Sequence, residues 1–96
     1  MLSLEELEEL AESLKVLTHP VRIRILRELK KGDVCVTELS EKIGASQPNI
    51  SQHLTLLRAR GWIKKRKKAL FSYYYLSDKR ISIALETISE VVAQFE

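Results

Sequence analysis

The chain has 96 residues, 45% of them apolar and 30% charged, with a net charge of +3 and a pI near 9.1. That length suits one domain over residues 1–96 and hardly two, and the apolar share is too high for a disordered chain. No apolar run approaches the ~20 residues that cross a bilayer, the acidic opening MLSLEELEEL lacks the basic start of a signal peptide, and one cysteine, Cys35, rules out an internal disulfide, so a cytoplasmic protein is expected.

Ser3 and Glu6 form a capping box for a first helix, in which Leu4, Leu7, Leu10, Leu14 and Leu17 recur at helical spacing. Pro20 suits the first turn of a second helix, with Val21, Ile25, Leu26 and Leu29 as its apolar side and Gly32 as its end. The β-branched stretch Asp33 to Val36 predicts one brief strand. Thr37 can cap a third helix, with Leu39 and Ile43 turned inward and Gly44 as its stop. Ser46 can cap a fourth, Pro48 lies in its first turn, and Ile50, Leu54 and Leu57 mark its buried stripe. Gly61 closes it. Trp62 to Leu76 predicts a two-stranded hairpin with a cationic tip. Ser77 can cap a last helix, whose apolar positions Ile81, Ala84, Leu85, Ile88, Val91, Val92 and Phe95 repeat every seven residues.

The charge is unevenly placed. From Lys42 to Ser77 there is no Asp or Glu, and all 13 acids lie outside that stretch. Such segregation suits a polyanionic partner. With Ile50, Leu54 and Leu57 inward, the fourth helix turns Pro48, Ser51, Gln52, Thr55 and Ala59 outward, with Gln47 and Asn49 at its tip and His53 at the margin of the buried stripe. These side chains are short and able to exchange hydrogen bonds, and no long charge appears until Arg58. A solvated face of ordinary composition would carry Lys and Glu. A face like this one suits the major groove, where Asn and Gln match adenine edges. Lys64, Lys65, Arg66, Lys67 and Lys68 on the hairpin would meet the phosphate backbone beside it. The predicted architecture is mainly α with a small β-hairpin: a winged helix-turn-helix of five or six helices.

The segments LTHPVRIRILREL (17–29), DVCVTELSEKIGASQPNISQHLTLLRARGWIKKRKK (33–68) and YYYLSD (73–78) resemble the ArsR/SmtB-type family of small prokaryotic repressors. The resemblance implies a homodimer that binds a palindromic operator in double-stranded DNA and blocks transcription, and that an effector loosens. Carried over by position, Gln47, Asn49, Ser51, Gln52 and His53 contact DNA, Ser46 caps the helix beside a phosphate, and Lys64 to Lys68 face the backbone. The tip departs from the family: Ala69 and Leu70 stand where Gly and Arg are often found, so an inserted arginine does not carry over.

Metal sites of the family do not carry over either. The paired cysteines of some members become Cys35-Val36-Thr37, and the last helix holds no His. Cys35, His19 and His53 are the chain's only soft or borderline ligands, fewer than the four a zinc site takes. No metal, other cofactor or catalytic arrangement is expected, and the sequence names no effector. The two halves are expected to join through the first and last helices, on Leu7, Leu10, Leu14, Ile88, Val91, Val92 and Phe95. Two alternatives stand beside this reading. One is a winged-helix module that binds an acidic protein; the other is a repressor whose Cys35 thiol senses oxidants.

Overall fold

In the computed structural model, which describes residues 1–95, the chain opens on the expected capping box. Ser3 Oγ accepts the Glu6 N–H at 3.1 Å, and Glu6 Oε1 accepts the Ser3 N–H at 3.1 Å. The elements then run α1 (Leu4–Lys15), α2 (Pro20–Leu29), β1 (Val34–Cys35), α3 (Val36–Ile43), α4 (Gln47–Ala59), β2 (Ile63–Lys68), β3 (Phe71–Leu76) and α5 (Arg80–Ala93). The predicted hairpin is thus part of a three-stranded antiparallel sheet in the order β1-β3-β2, because the short β1 pairs Val34 with Tyr74 and Cys35 with Tyr73.

That pairing moves one predicted cap. The chain passes straight from β1 into α3, so the N-cap is Cys35, which makes no side-chain capping bond, and Thr37 lies inside the first turn. Ser77 does not cap α5 either. Its hydroxyl donates to the carbonyls of Gly61 and Trp62 and closes the base of the hairpin. Asp78 takes the start of α5 instead, accepting the Arg80 N–H at 2.8 Å, and hydrogen bonds from the Arg80 side chain and backbone hold its carboxyl down to about 2.

The core is built from the middle of the chain. Ile25, Leu26 and Leu29 of α2 meet Leu39 of α3, Ile50, Leu54 and Leu57 of α4, Val34 of β1, Ile63 of β2 and Tyr74 of β3. Neither α1 nor α5 buries a single residue. The radius of gyration is 14.3 Å, above the roughly 12.5 Å of a compact chain this long, because the terminal helices and the hairpin project. Polar bonds tie α1 down. Trp62 Nε1 donates to the Ser13 carbonyl at 3.0 Å, Arg60 pairs with Glu9 at 3.0 Å, and Arg22 donates to the Val16 carbonyl at 2.9 Å.

Glu28 is the exception among the charged residues, only 7% exposed. It receives Lys31 at 3.4 Å, Arg24 at 3.5 Å and Lys42 at 3.7 Å, and Arg24 also donates to the Lys42 carbonyl at 3.0 Å. Burial pushes its carboxyl up, and the three cations together more than offset this and hold it below the ordinary range. The cluster clamps the end of α3 to α2. Glu28→Gln is expected to cost about 1 kcal/mol, a modest figure because the cations are half exposed. Urea titration at neutral pH checks it, and an unchanged midpoint would show that the clamp adds nothing.

Candidate nucleic-acid interface

The helix-turn-helix is made by two caps in succession. Gly44 ends α3 in the left-handed region at φ 80°, where only glycine is unstrained, and its N–H returns to the Ser40 carbonyl at 2.9 Å. Ser40 Oγ donates to the Ala45 carbonyl and holds the turn. Ser46 then starts α4, its Oγ accepting the Asn49 N–H at 3.2 Å, with Pro48 in the first turn. The turn is therefore three residues long, Gly44 to Ser46.

The opposite sides of α4 differ sharply. Ile50, Leu54 and Leu57 are at most 1% exposed. Gln47, Asn49, Ser51, Gln52, Thr55 and Arg58 are all exposed and share the outer surface with Pro48 and Ala59. Thr55 Oγ1 donates to the Ser51 carbonyl at 2.9 Å, which leaves its oxygen free only to accept. Leu56, absent from the outward set expected from the sequence, is also exposed, one turn beyond Gln52. Its spacing from Gln52 was the available signal, and an apolar group there suits a thymine methyl.

His53 is the correction on this helix. It is 8% exposed and lies against His19, with ring centroids 4.5 Å apart, so it presents no ring to a groove. The spacing of four from Leu57 and three from Ile50 puts it on the buried side, and His19, held as the N-cap of α2 by a 3.1 Å bond from the Val21 N–H, fills the space beside it. His53 Nδ1 and Arg22 Nε are both buried without a hydrogen-bond partner among the described residues. Burial first, then the nearby His19 and Arg22, holds His53 below its ordinary value.

On the hairpin, the register sorts the cations onto two faces. Lys65 and Lys67 oppose Tyr74 and Ser72, on the face of buried Ile63, while Lys64, Arg66 and Lys68 oppose Tyr75, Tyr73 and Phe71 on the other. Arg66, alone among the five, has partners within the fold. It pairs with Asp33, and its guanidinium lies 5.2 Å from the centre of the Tyr75 ring. Arg58, Lys64, Lys65, Lys67 and Lys68 are exposed and make no ion pair among the described residues. No group of three or more His, Cys, Asp or Glu side chains converges among the described residues. Cys35 is half-buried, its thiol 3.3 Å from Glu38 Oε1.

A capped helix with a polar outer face, set on a tight turn and flanked by a cationic hairpin, defines a winged helix-turn-helix DNA-binding protein. The chain belongs to the arsR family of bacterial regulatory proteins, whose family model matches residues 19–65. It is 33% identical over 89 residues to an uncharacterized helix-turn-helix-type transcriptional regulator from Methanocaldococcus jannaschii, covering 92% of this chain and 100% of that one. It is 38% identical over 72 residues to the biofilm growth-associated repressor of Xylella fastidiosa, covering 75% of this chain and 63% of that protein. The crystal structure of NolR from Sinorhizobium fredii superposes with a TM-score of 0.82 at 36% identity, covering 95% of this chain and 94% of that one. The family consists of transcriptional regulators, and the chain is not an enzyme.

The depressed His53 gives a pH dependence with a definite sign. An unfolded His53 takes up a proton near its ordinary value of 6.5, whereas the folded one resists until the pH is lower. Its contribution to stability is therefore full above about pH 6.5 and is lost as the pH falls through that window. Thermal unfolding between pH 7.5 and 5.5 should show the decline, and His53→Leu should flatten it. A wild-type slope that survives the substitution would assign the dependence to another group.

Proposed function

We propose that residues 1–96 act as one DNA-binding unit, a cytoplasmic homodimeric repressor that binds a palindromic operator in double-stranded DNA. The observation that carries this reading is the outer surface of α4, where exposed Gln47, Asn49, Ser51 and Gln52 stand opposite a fully buried stripe. In the major groove these side chains read base edges, with Thr55 accepting and Ser46 holding the helix start near a phosphate. Arg58, Lys64, Lys65, Lys67 and Lys68 grip the backbone, which gives affinity and register without sequence information. Arg66 is paired with Asp33 in the free chain, so it would give up that half-exposed ion pair to join them.

Two readers are needed to match two half-sites, and the terminal helices supply the means to pair. Leu7, Leu10 and Leu14 of α1, with Ile88, Val91 and Val92 of α5 and Phe95 just past it, are all exposed in the single chain. A module for an acidic protein would have no use for the hydrogen-bonding face of α4. A Cys35 switch would act through a half-buried thiol on a two-residue strand, already engaged with Glu38.

Sedimentation at micromolar concentration should give about twice the 11.1 kDa chain mass, and Val91→Glu with Val92→Glu should return the protein to monomer. A wild-type monomer at that concentration would end the palindromic reading.

Reading and gripping should separate by mutation. Gln52→Ala is expected to weaken binding to a selected duplex by ~1–3 kcal/mol while leaving random-sequence binding nearly intact. Lys65→Ala should weaken both alike and lower the salt slope by about one. Equal loss for every sequence in Gln52→Ala would mean that α4 is not the reader.

A further inference from the structure

We infer that Leu70, at the tip of the hairpin, is an apolar wedge that enters the minor groove of the bound duplex and kinks it. The inference rests on the reading of the chain as a DNA-binding regulator and adds a second mode of recognition, by deformation.

The tip is Ala69-Leu70, between Lys68 of β2 and Phe71 of β3. Leu70 is 90% exposed and Phe71 57%. Ala69 holds φ 56°, the left-handed region that costs an L residue energy, so the turn is tight and projects Leu70 outward. A lone exposed leucine needs no explanation, but this one is surrounded by charge. Lys67 and Lys68 precede it and carry no ion pair among the described residues. An apolar protein surface closing on Leu70 would have to desolvate those ammonium groups. A duplex satisfies both demands, with phosphates outside for the lysines and stacked bases inside for the leucine.

Reach and chemistry agree. From buried Ile63 to Lys68 the strand extends about 17 Å, more than the ~12 Å width of the major groove. With α4 in that groove, the tip passes the bordering phosphates and arrives at the neighbouring minor groove. The two tip residues themselves, Ala69 and Leu70, carry no charge to insert, and the hairpin's single arginine, Arg66, is paired with Asp33 and lies over the Tyr75 ring. An inserted aliphatic side chain instead unstacks a base step and bends the helix, and flexible pyrimidine–purine steps yield most easily.

The test uses the full chain and a duplex enriched by the wild-type protein from a random-sequence pool. End-to-end energy transfer reads the bend, and 2-aminopurine placed at successive steps reads unstacking. Wild type should bend the duplex and brighten one step on the flank of each half-site. Leu70→Ala should lose the bend and the brightening, bind about ten- to hundredfold more weakly and keep the wild-type salt slope. Leu70→Met should retain most of the bend, and Lys67→Ala should lower the salt slope but leave the bend in place. A duplex that is enriched yet stays straight, or that Leu70→Ala bends as wild type does, overturns the wedge alone. A pool from which nothing is enriched overturns the regulator reading and the wedge with it.

Discussion

The orientation of α4 is set by three side chains. Ile50, Leu54 and Leu57 are locked among Ile25, Leu26, Leu29 and Leu39, and a helix so anchored cannot roll. One residue of slip would turn it by 100° and carry Gln52 and Ser51 toward the core. Close packing is what makes that rotation costly, since each leucine fills a cavity shaped for it. The polar surface therefore inherits its aim from the apolar one. The Gly44 and Ser46 caps fix where the helix begins, so its axial position is specified as firmly as its roll.

Outside this centre the chain relies on polar ties. Glu28 gathers three cations from α2, the turn after it and α3, and so holds the helix-turn-helix against the scaffold. On the far side, Lys30 of the α2 C-cap pairs with Glu86 of α5. At the hairpin, Asp33 draws Arg66 back onto the sheet. Ion pairs at half-exposed positions contribute little energy one by one, but they set angles between elements that share few apolar contacts. The result is a rigid middle bearing three projections: α1, α5 and the hairpin.

Much of this was legible because it is local. The Ser3–Glu6 box, Pro20 at a helix start, Gly44 and Gly61 at helix ends, and the Ser46 cap all depend on neighbours within a few residues. The stripe of α4 was legible from period alone, and with it the exposed face. The failures are long-range. Thr37 and Ser77 both have the chemistry of a cap, and both lost the role to contacts made across the sheet, by β1 pairing with β3 and by the carbonyls of Gly61 and Trp62. His53 stood at the edge of a stripe; its spacing from Ile50 and Leu57 turns it toward the core, and His19, 34 positions earlier in the numbering, covers it there. Arg66 looked like its four lysine neighbours until Asp33 and Tyr75 were placed beside it.

Trp62 ties these observations together in a practical way. It is the chain's single tryptophan, half-buried where α4 gives way to the hairpin, and its indole N–H ends on the Ser13 carbonyl of α1. Loss of that bond exposes the ring to solvent and moves its emission to the red. The chain thus carries its own optical reporter where the helix-turn-helix and hairpin meet its first helix. A displacement of α1 is therefore expected to register in the emission of unlabelled protein, with retained helicity setting it apart from global unfolding.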